Sequence, residues 1–331
     1  MTAVVAIVVV AGCGGGGSSG GGSGGGGESG KESGFKVAVL TPGTANDGSW
    51  GEAVAEGAEA AAKKFGAKVT IAANLEETAQ YQQQGLALAQ SGYNLIICAN
   101  SSMASVIEEL AKKFPNTKFG QVAVSINPLQ PNISTSTPEF PTGTFQAGVL
   151  AGLMTKTNTV GTVGGFEFPT LNSEMEGFAL GARYADPQVK VLRTFINTWT
   201  DASKAKAAAQ AQASQGADIV FSATDQATQG MFQLAESGGS PLKYVIPQYL
   251  DKASQAPNVV LTTSVYNLQG ATGSFIEMYG EGKWKSQNVT LGIEDGVGLE
   301  PNPAMESVIP PEVQKKLEEI EKKIETGELK V

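Results

Sequence analysis

Apolar residues fall along this chain in two alternating patterns. Short apolar runs, the kind that fill both faces of a parallel sheet, alternate with longer segments of helical spacing. From residue 35 the order is a strand "FKVAVLT", a helix over 49–65, a strand "AKVTIAA", a helix over 76–91, a strand "YNLIICA", a helix over 102–113 and a strand "TKFGQVAV". A second series follows. It runs "NTVGTVGG", a helix over roughly 171–184, "VKVLRTF", an Ala-rich helix over 202–214, "ADIVFSA", a helix over 228–237, then the strands "LKYVIPQ" and "NVVLTTS" and a helix over roughly 268–281. The chain ends in "PPEVQKKLEEIEKKIETG", where Glu and Lys recur at helical spacing on a solvated surface helix. Repeated strand–helix alternation predicts an α/β protein of two similar doubly wound parallel-sheet lobes, with the chain crossing between them.

The N-terminus has a different pattern. Residues 3–11 are almost wholly apolar, too short a run to span a bilayer but suited to the core of a signal peptide. No Lys or Arg precedes this run, although signal peptides normally carry one. It closes on "VAGC", which matches the lipobox of bacterial lipoproteins and marks Cys13 for acylation. Residues 14–34 are nearly all Gly and Ser, a flexible tether that buries nothing. The predicted organisation is a lipoprotein signal peptide over 1–13, a tether over 14–34, an N-terminal lobe of 35–140 plus about 264–292, and a C-terminal lobe of about 141–263 plus 293–331.

Composition narrows the chemistry. The 331 residues carry a net charge of −9 and no basic stripe, which argues against a nucleic-acid partner. There is no His, which removes the commonest general base and the commonest metal ligand. The second cysteine, Cys98, sits in an apolar strand and is predicted to be a small core residue. No G-x-G-x-x-G or Walker A pattern follows any predicted strand, so no cofactor is expected.

Ligands of open α/β sheets sit beyond the carboxyl ends of the strands. The residues found there are "NDGSW", "NSSM", "GFEFPT", "INTWTD", "ATDQATQG", "QYLD" and "SVYN". Aromatics stand beside Asn, Asp, Ser, Thr and Gln. That combination suits a flat polar heterocycle or a sugar, stacked on ring faces and read at its edge by hydrogen bonds. The candidate ligand residues are Asn46, Asp47, Trp50, Asn100, Ser101, Phe166, Phe168, Trp199, Asp225, Tyr249 and Tyr266. Each has a structural alternative. Trp50 is read as a stacking ring in preference to packing between the lobes and Trp199 as a pocket wall, while Phe166 and Phe168 suit pocket wall and core alike, and Asp47 suits a base edge or capping its turn. Asp225 is placed to accept from a ring N–H. Ser49 and Glu52 stand in the S-x-x-E spacing of a capping box, with Ser49 as N-cap, while Asp201 and Asp251 are read as caps.

The segments "NDGSWGEAVAEG", "FQAGVLAGLMTKTNTVGTVGG", "EGFALGARYADP", "NTWTDASKAKAAAQAQASQGADIVF" and "VLTTSV" resemble the basic membrane protein family of bacterial lipoproteins, over residues 35 to about 300. The resemblance implies the type I periplasmic-binding fold, with two lobes that hinge shut on a solute. It also implies an ABC permease as membrane partner, an extracytoplasmic location and no catalysis. In the purine-nucleoside branch of that family, a carboxylate and a Lys grip the ribose. Here Tyr249 and Tyr266 stand at those positions, and an Asp expected after "FGQVAV" is missing. The "NTWTD" segment and Thr224–Asp225 are similar to a branch linked to free nucleobases such as adenine. A purine-type nucleobase is therefore the expected ligand. The alternatives are a nucleoside or sugar, an enzyme acting on a base, or a sensor that presents its closed form to a membrane receptor.

Overall fold

The computed structural model describes residues 34–331 and the backbone of a two-residue strand, β1 (Val8–Val9). The rest of the predicted signal segment, Cys13 and the tether lie outside the described residues. The chain packs as two compact units. The first holds the described residues up to Ala45, Val54–Thr137 and Gln269–Val289; the second holds Asn46–Ala53, Pro138–Leu268 and Thr290–Val331.

The first unit is built on a sheet of order β1-β3-β2-β4-β5-β6-β13. Its strands are β2 (Lys36–Leu40), β3 (Lys68–Ala72), β4 (Leu95–Cys98), β5 (Lys118–Val122), β6 (Ile133–Pro138) and, late in the chain, β13 (Asn288–Leu291). From β3 through β6 the pairing is parallel, as continuous apolar runs require. Helices α2 (Thr78–Gln90) and α3 (Ala104–Lys113) cover one core of this unit, in which Leu40, Ile96, Cys98, Leu110 and Phe119 pack together, and α8 (Leu268–Gly280) lies almost wholly in the same unit. Cys98 is fully buried, as its apolar surroundings predict.

The second unit has two sheets. One is parallel, in the order β10 (Tyr244–Ile246), β9 (Ile219–Ala223), β7 (Thr159–Gly164), β8 (Lys190–Phe195). The other runs β11 (Gln248–Tyr249), β12 (Thr262–Tyr266), β14 (Val297–Pro301), with β14 antiparallel to β12. Around them lie α4 (Phe140–Met154), α5 (Pro169–Ala185), α6 (Ala202–Ala213), α7 (Gln229–Glu236) and the C-terminal α9 (Pro311–Glu325). Close packing of α4 on α5 depends on glycine. A Cβ at Gly148 would stand 2.0 Å from the Phe178 carbonyl oxygen, and one at Gly181 2.0 Å from that of Phe145. Backbone contact at this range holds α5, and the residues it aims inward, in one place.

Several elements depart from the periodicity reading. Helix α4 was not expected, because twelve of its fifteen residues are buried and no polar face marks its period. Strand β6, "ISTSTP", has loop composition yet is buried along most of its length. Strand β12 is displaced toward the C-terminus, so Tyr266 ends the strand instead of following it, and Tyr249 lies in the short strand β11. The first turn of helix α1 (Trp50–Lys63) packs with the second unit, although strand β2 before it belongs to the first.

Candidate functional site

The site on the second unit begins at the turn "NDGSW". Gly48 has φ +63°, a conformation open to glycine without a Cβ penalty. The bend folds the Asp47 carboxylate back over the start of α1. Oδ1 accepts from the amides of Ser49 (2.8 Å) and Glu52 (3.1 Å), and Oδ2 from that of Gly51 (3.0 Å). Glu52 reaches back to accept from the Gly48 amide at 2.7 Å. The capping box expected of Ser49 and Glu52 is thus corrected. Asp47 takes the donors assigned to the Ser49 hydroxyl, and Glu52 closes on Gly48. Asp47 is committed to its own turn, and Asn46 beside it is exposed.

Released from capping, the Ser49 hydroxyl donates to Asp225 Oδ1 at 2.7 Å and accepts from Lys252 Nζ at 3.4 Å. Asp225 opens the short 3-10 helix Asp225–Thr228 after β9, with φ +47°. It is half-buried and also accepts from the Trp50 amide. Burial, with the Asp47 charge adding to it, pushes the Asp225 carboxyl up to about 6. Burial likewise pulls the Lys252 ammonium down to about 8, against the attraction of Asp225 and Asp47. Lys252 is 3% exposed and donates a second hydrogen bond to the Gln248 carbonyl at 3.0 Å.

Aromatic rings surround this polar cluster. Trp50 meets Tyr249 edge-on, with centroids 5.1 Å apart, and Phe140 at 6.3 Å. Tyr266 packs on Phe140 (4.9 Å) and Tyr249 (5.7 Å). All four rings are buried, with Trp50 9% exposed. Tyr249 has φ +79°, an uncommon conformation for a bulky residue, and such strain gathers at functional sites. Behind Tyr249 lies Glu174 on α5, 2% exposed. Burial pushes its carboxyl up to about 8, so it is held largely neutral at pH 7.

A second aromatic group is more open. Trp199 packs against Phe166 at 5.3 Å and Phe168 at 6.2 Å, and Phe166 is 40% exposed. Gly165 makes room for it, since a Cβ there would stand 2.2 Å from the Trp199 ring. The Trp199 carbonyl accepts from the Ala227 amide at 2.9 Å, which ties this group to the turn carrying Asp225. Asp201 caps α6 through the Ser203 and Lys204 amides, and Asp251 accepts from the Ala253 amide, both as read from the sequence.

The structure therefore gathers Asp47, Trp50, Asp225, Tyr249 and Tyr266 in the second unit, with Phe166, Phe168 and Trp199 nearby. Asn100 and Ser101 belong to the first unit, where Asn100 Oδ1 accepts from the Ser102 amide and Asn100 Nδ2 donates to the Tyr81 hydroxyl. Sequence reading missed Phe140, Glu174, Gln248 and Lys252. Glu174 carried a signal, because it falls on the apolar stripe of Leu171, Met175 and Phe178, where a charge is out of place. Lys252 directly follows Asp251 in the same strand-end loop. Among the described residues, no group of His, Cys, Asp and Glu is arranged to hold a metal, and no helix is long and apolar enough to cross a membrane.

Comparison with known proteins agrees with this architecture. The chain is 29% identical over 306 residues to the purine-binding protein of Brucella abortus (strain 2308), covering 90% of this chain and 83% of that one. An ABC transporter solute-binding protein of Aeropyrum pernix K1 superposes with a TM-score of 0.82 at 20% identity, over 89% of this chain and 92% of its own. A second, from Conexibacter woesei DSM 14684, superposes at 0.72 with 25% identity, over 90% of this chain and 98% of its own. The fold is that of the type I periplasmic-binding proteins, α/β with parallel sheets. Residues 35–331 match the family model described as ABC transporter substrate-binding protein PnrA-like, and the chain belongs to that family, also called the basic membrane proteins.

Proposed function

We propose that this protein is the extracytoplasmic binding component of an ABC importer for a purine-type nucleobase, tethered to the membrane by a lipid on Cys13. It would bind its solute without chemical turnover and hand it to a membrane permease. The observation that carries the reading is the half-buried carboxylate of Asp225, fixed by Ser49 and the Trp50 amide and tied to the partly open Phe166–Trp199 pair. Such an arrangement suits a ring N–H at one edge and a ring face beside it. The purine named for the Brucella relative supports the same class. Tyr249 and Tyr266 fill the positions where the family's nucleoside branch grips ribose, which favours a bare base over a nucleoside.

Thermal denaturation with a panel of purines, uracil, nucleosides and sugars tests this. A ligand at one hundred times its dissociation constant should stabilise by about 2.7 kcal/mol. If a nucleoside or sugar raises the melting temperature and no free base does, the nucleobase reading fails. Chromatographic recovery of the bound base unchanged after prolonged incubation is expected, and any product would refute the claim of binding without turnover.

A further inference from the structure

We propose that Glu174 is the positioning residue of this site. Its carboxyl draws the side chains of Gln248 and Tyr249 to one face of strand β11 and so fixes the Tyr249 ring for the ligand, which Glu174 itself does not touch. The proposal rests on the solute-binding reading of the site above and deepens it.

Adjacent residues of a strand point to opposite faces. In β11, Gln248 pairs with Ser264 of β12 and Tyr249 with Val265. Regular geometry would put Gln248 on the face of Ser264 and Tyr266, and Tyr249 on the other face with Val265. Gln248 follows the rule. Its Oε1 accepts from the Tyr266 hydroxyl at 3.5 Å, and that hydroxyl accepts from Ser264 Oγ at 2.9 Å. Tyr249 breaks the rule. Its ring packs on Tyr266, with centroids 5.7 Å apart, on the face that Gln248 occupies. The backbone makes the turn, since Tyr249 has φ +79°, where a bulky residue is strained.

A strained conformation persists only when its surroundings hold it. Here Glu174 is the holder. The Gln248 side-chain amide and the Tyr249 hydroxyl both donate to its carboxyl. Two consecutive strand residues reach one acceptor only if one of them leaves the regular alternation. Glu174 is 2% exposed, so without its carboxyl no water would stand in for the lost acceptor. The carboxyl is itself fixed, because α5 lies against the backbone of α4 at Gly148 and Gly181. The Tyr249 ring then meets Trp50 edge-on at 5.1 Å. The Gln248 carbonyl accepts from Lys252, which reaches Ser49 beside Asp225. A shift of β11 therefore moves the aromatic wall and the polar cluster together. A Glu174 that served only the core would change stability and leave the affinity of the folded protein as it was.

Isothermal titration at pH 7 with adenine and hypoxanthine as probes, on variants shown to be folded by circular dichroism, separates the two roles. Glu174→Leu should weaken the better-bound probe roughly tenfold. Glu174→Gln, the isostere of a carboxyl that is largely neutral at that pH, should recover most of the loss. Tyr249→Phe removes one of the two donors, so in that background Glu174→Leu should weaken binding by about threefold or less. Fully additive losses overturn the assignment. So does a Glu174→Leu variant that melts lower yet binds like the intact protein, or a Gln variant that recovers nothing; each leaves the nucleobase reading standing. If Glu174→Leu does not fold, Glu174→Asp, which withdraws the acceptor by one methylene, takes its place in the same cycle. If neither base binds and a nucleoside or sugar does, the nucleobase reading fails, and the same cycle with that solute decides the role of Glu174.

Discussion

Replacing Glu174 by Gln should change how the stability of this protein depends on pH. Glu174 sits on α5 at 2% exposure, and burial pushes its carboxyl from 4.5 up to about 8. Between those values the folded chain holds a proton that the unfolded chain has released. Stability therefore falls as pH rises across this window, with a slope near 1.4 kcal/mol per pH unit for one group. From pH 5.5 to 7.5 the loss from Glu174 is about 2 to 3 kcal/mol. Gln keeps the shape and the hydrogen-bonding capacity of the neutral acid but cannot titrate. Urea denaturation of both proteins at half-unit steps, followed by tryptophan fluorescence, gives the difference curve, in which common titrations cancel. The variant should gain on the parent by about 2 to 3 kcal/mol across those two units. A flat difference would show that Glu174 is ionised when folded, and the account of Tyr249 packed on a neutral carboxyl would fall.

Gly48→Ala should cost about 1 to 2 kcal/mol in thermal or urea unfolding, because φ is +63° and the added Cβ meets nothing closer than 3.5 Å; an unchanged midpoint would refute the strain argument. Gly181→Ala should destabilise by about 1 to 3 kcal/mol or more by overpacking, since α4 backbone lies 2.0 Å from the new atom, and circular dichroism melts read the loss. Hypoxanthine binding should weaken as pH falls through about 6, where Asp225 gains a proton and loses its acceptor. The other ionisable groups around it are Asp47, Glu174, Tyr249 and Lys252, and titration calorimetry from pH 5 to 7.5 would show no trend if Asp225 does not face the ligand.

Much of the fold was legible in the sequence. Parallel strands buried on both faces need continuous apolar runs, so "KVAVL" and "LIIC" announced β2 and β4 without tertiary context. Helices with one solvated face announced themselves by period, as α3 and α9 do. The same logic hid α4, whose surroundings are apolar on every side, and β6, whose Ser and Thr residues are buried by neighbours far away in the chain. Likewise the aromatic and acidic content of the strand-end loops was visible, as was the family resemblance that placed Tyr249 and Tyr266.

Which atoms meet was decided by tertiary structure. The sequence offered Ser49 as a cap by local spacing, but Asp47, freed to fold back by Gly48, occupies those amides. The displaced hydroxyl then bridges residues 176 and 203 positions away along the chain. Local periodicity carries information over a few turns of chain, because it reports which face of one element is buried. The partner of a buried charge depends on where distant elements are brought by packing. For that reason Lys252 and Glu174, ordinary residues in the sequence, became the groups that define this site only in the folded chain.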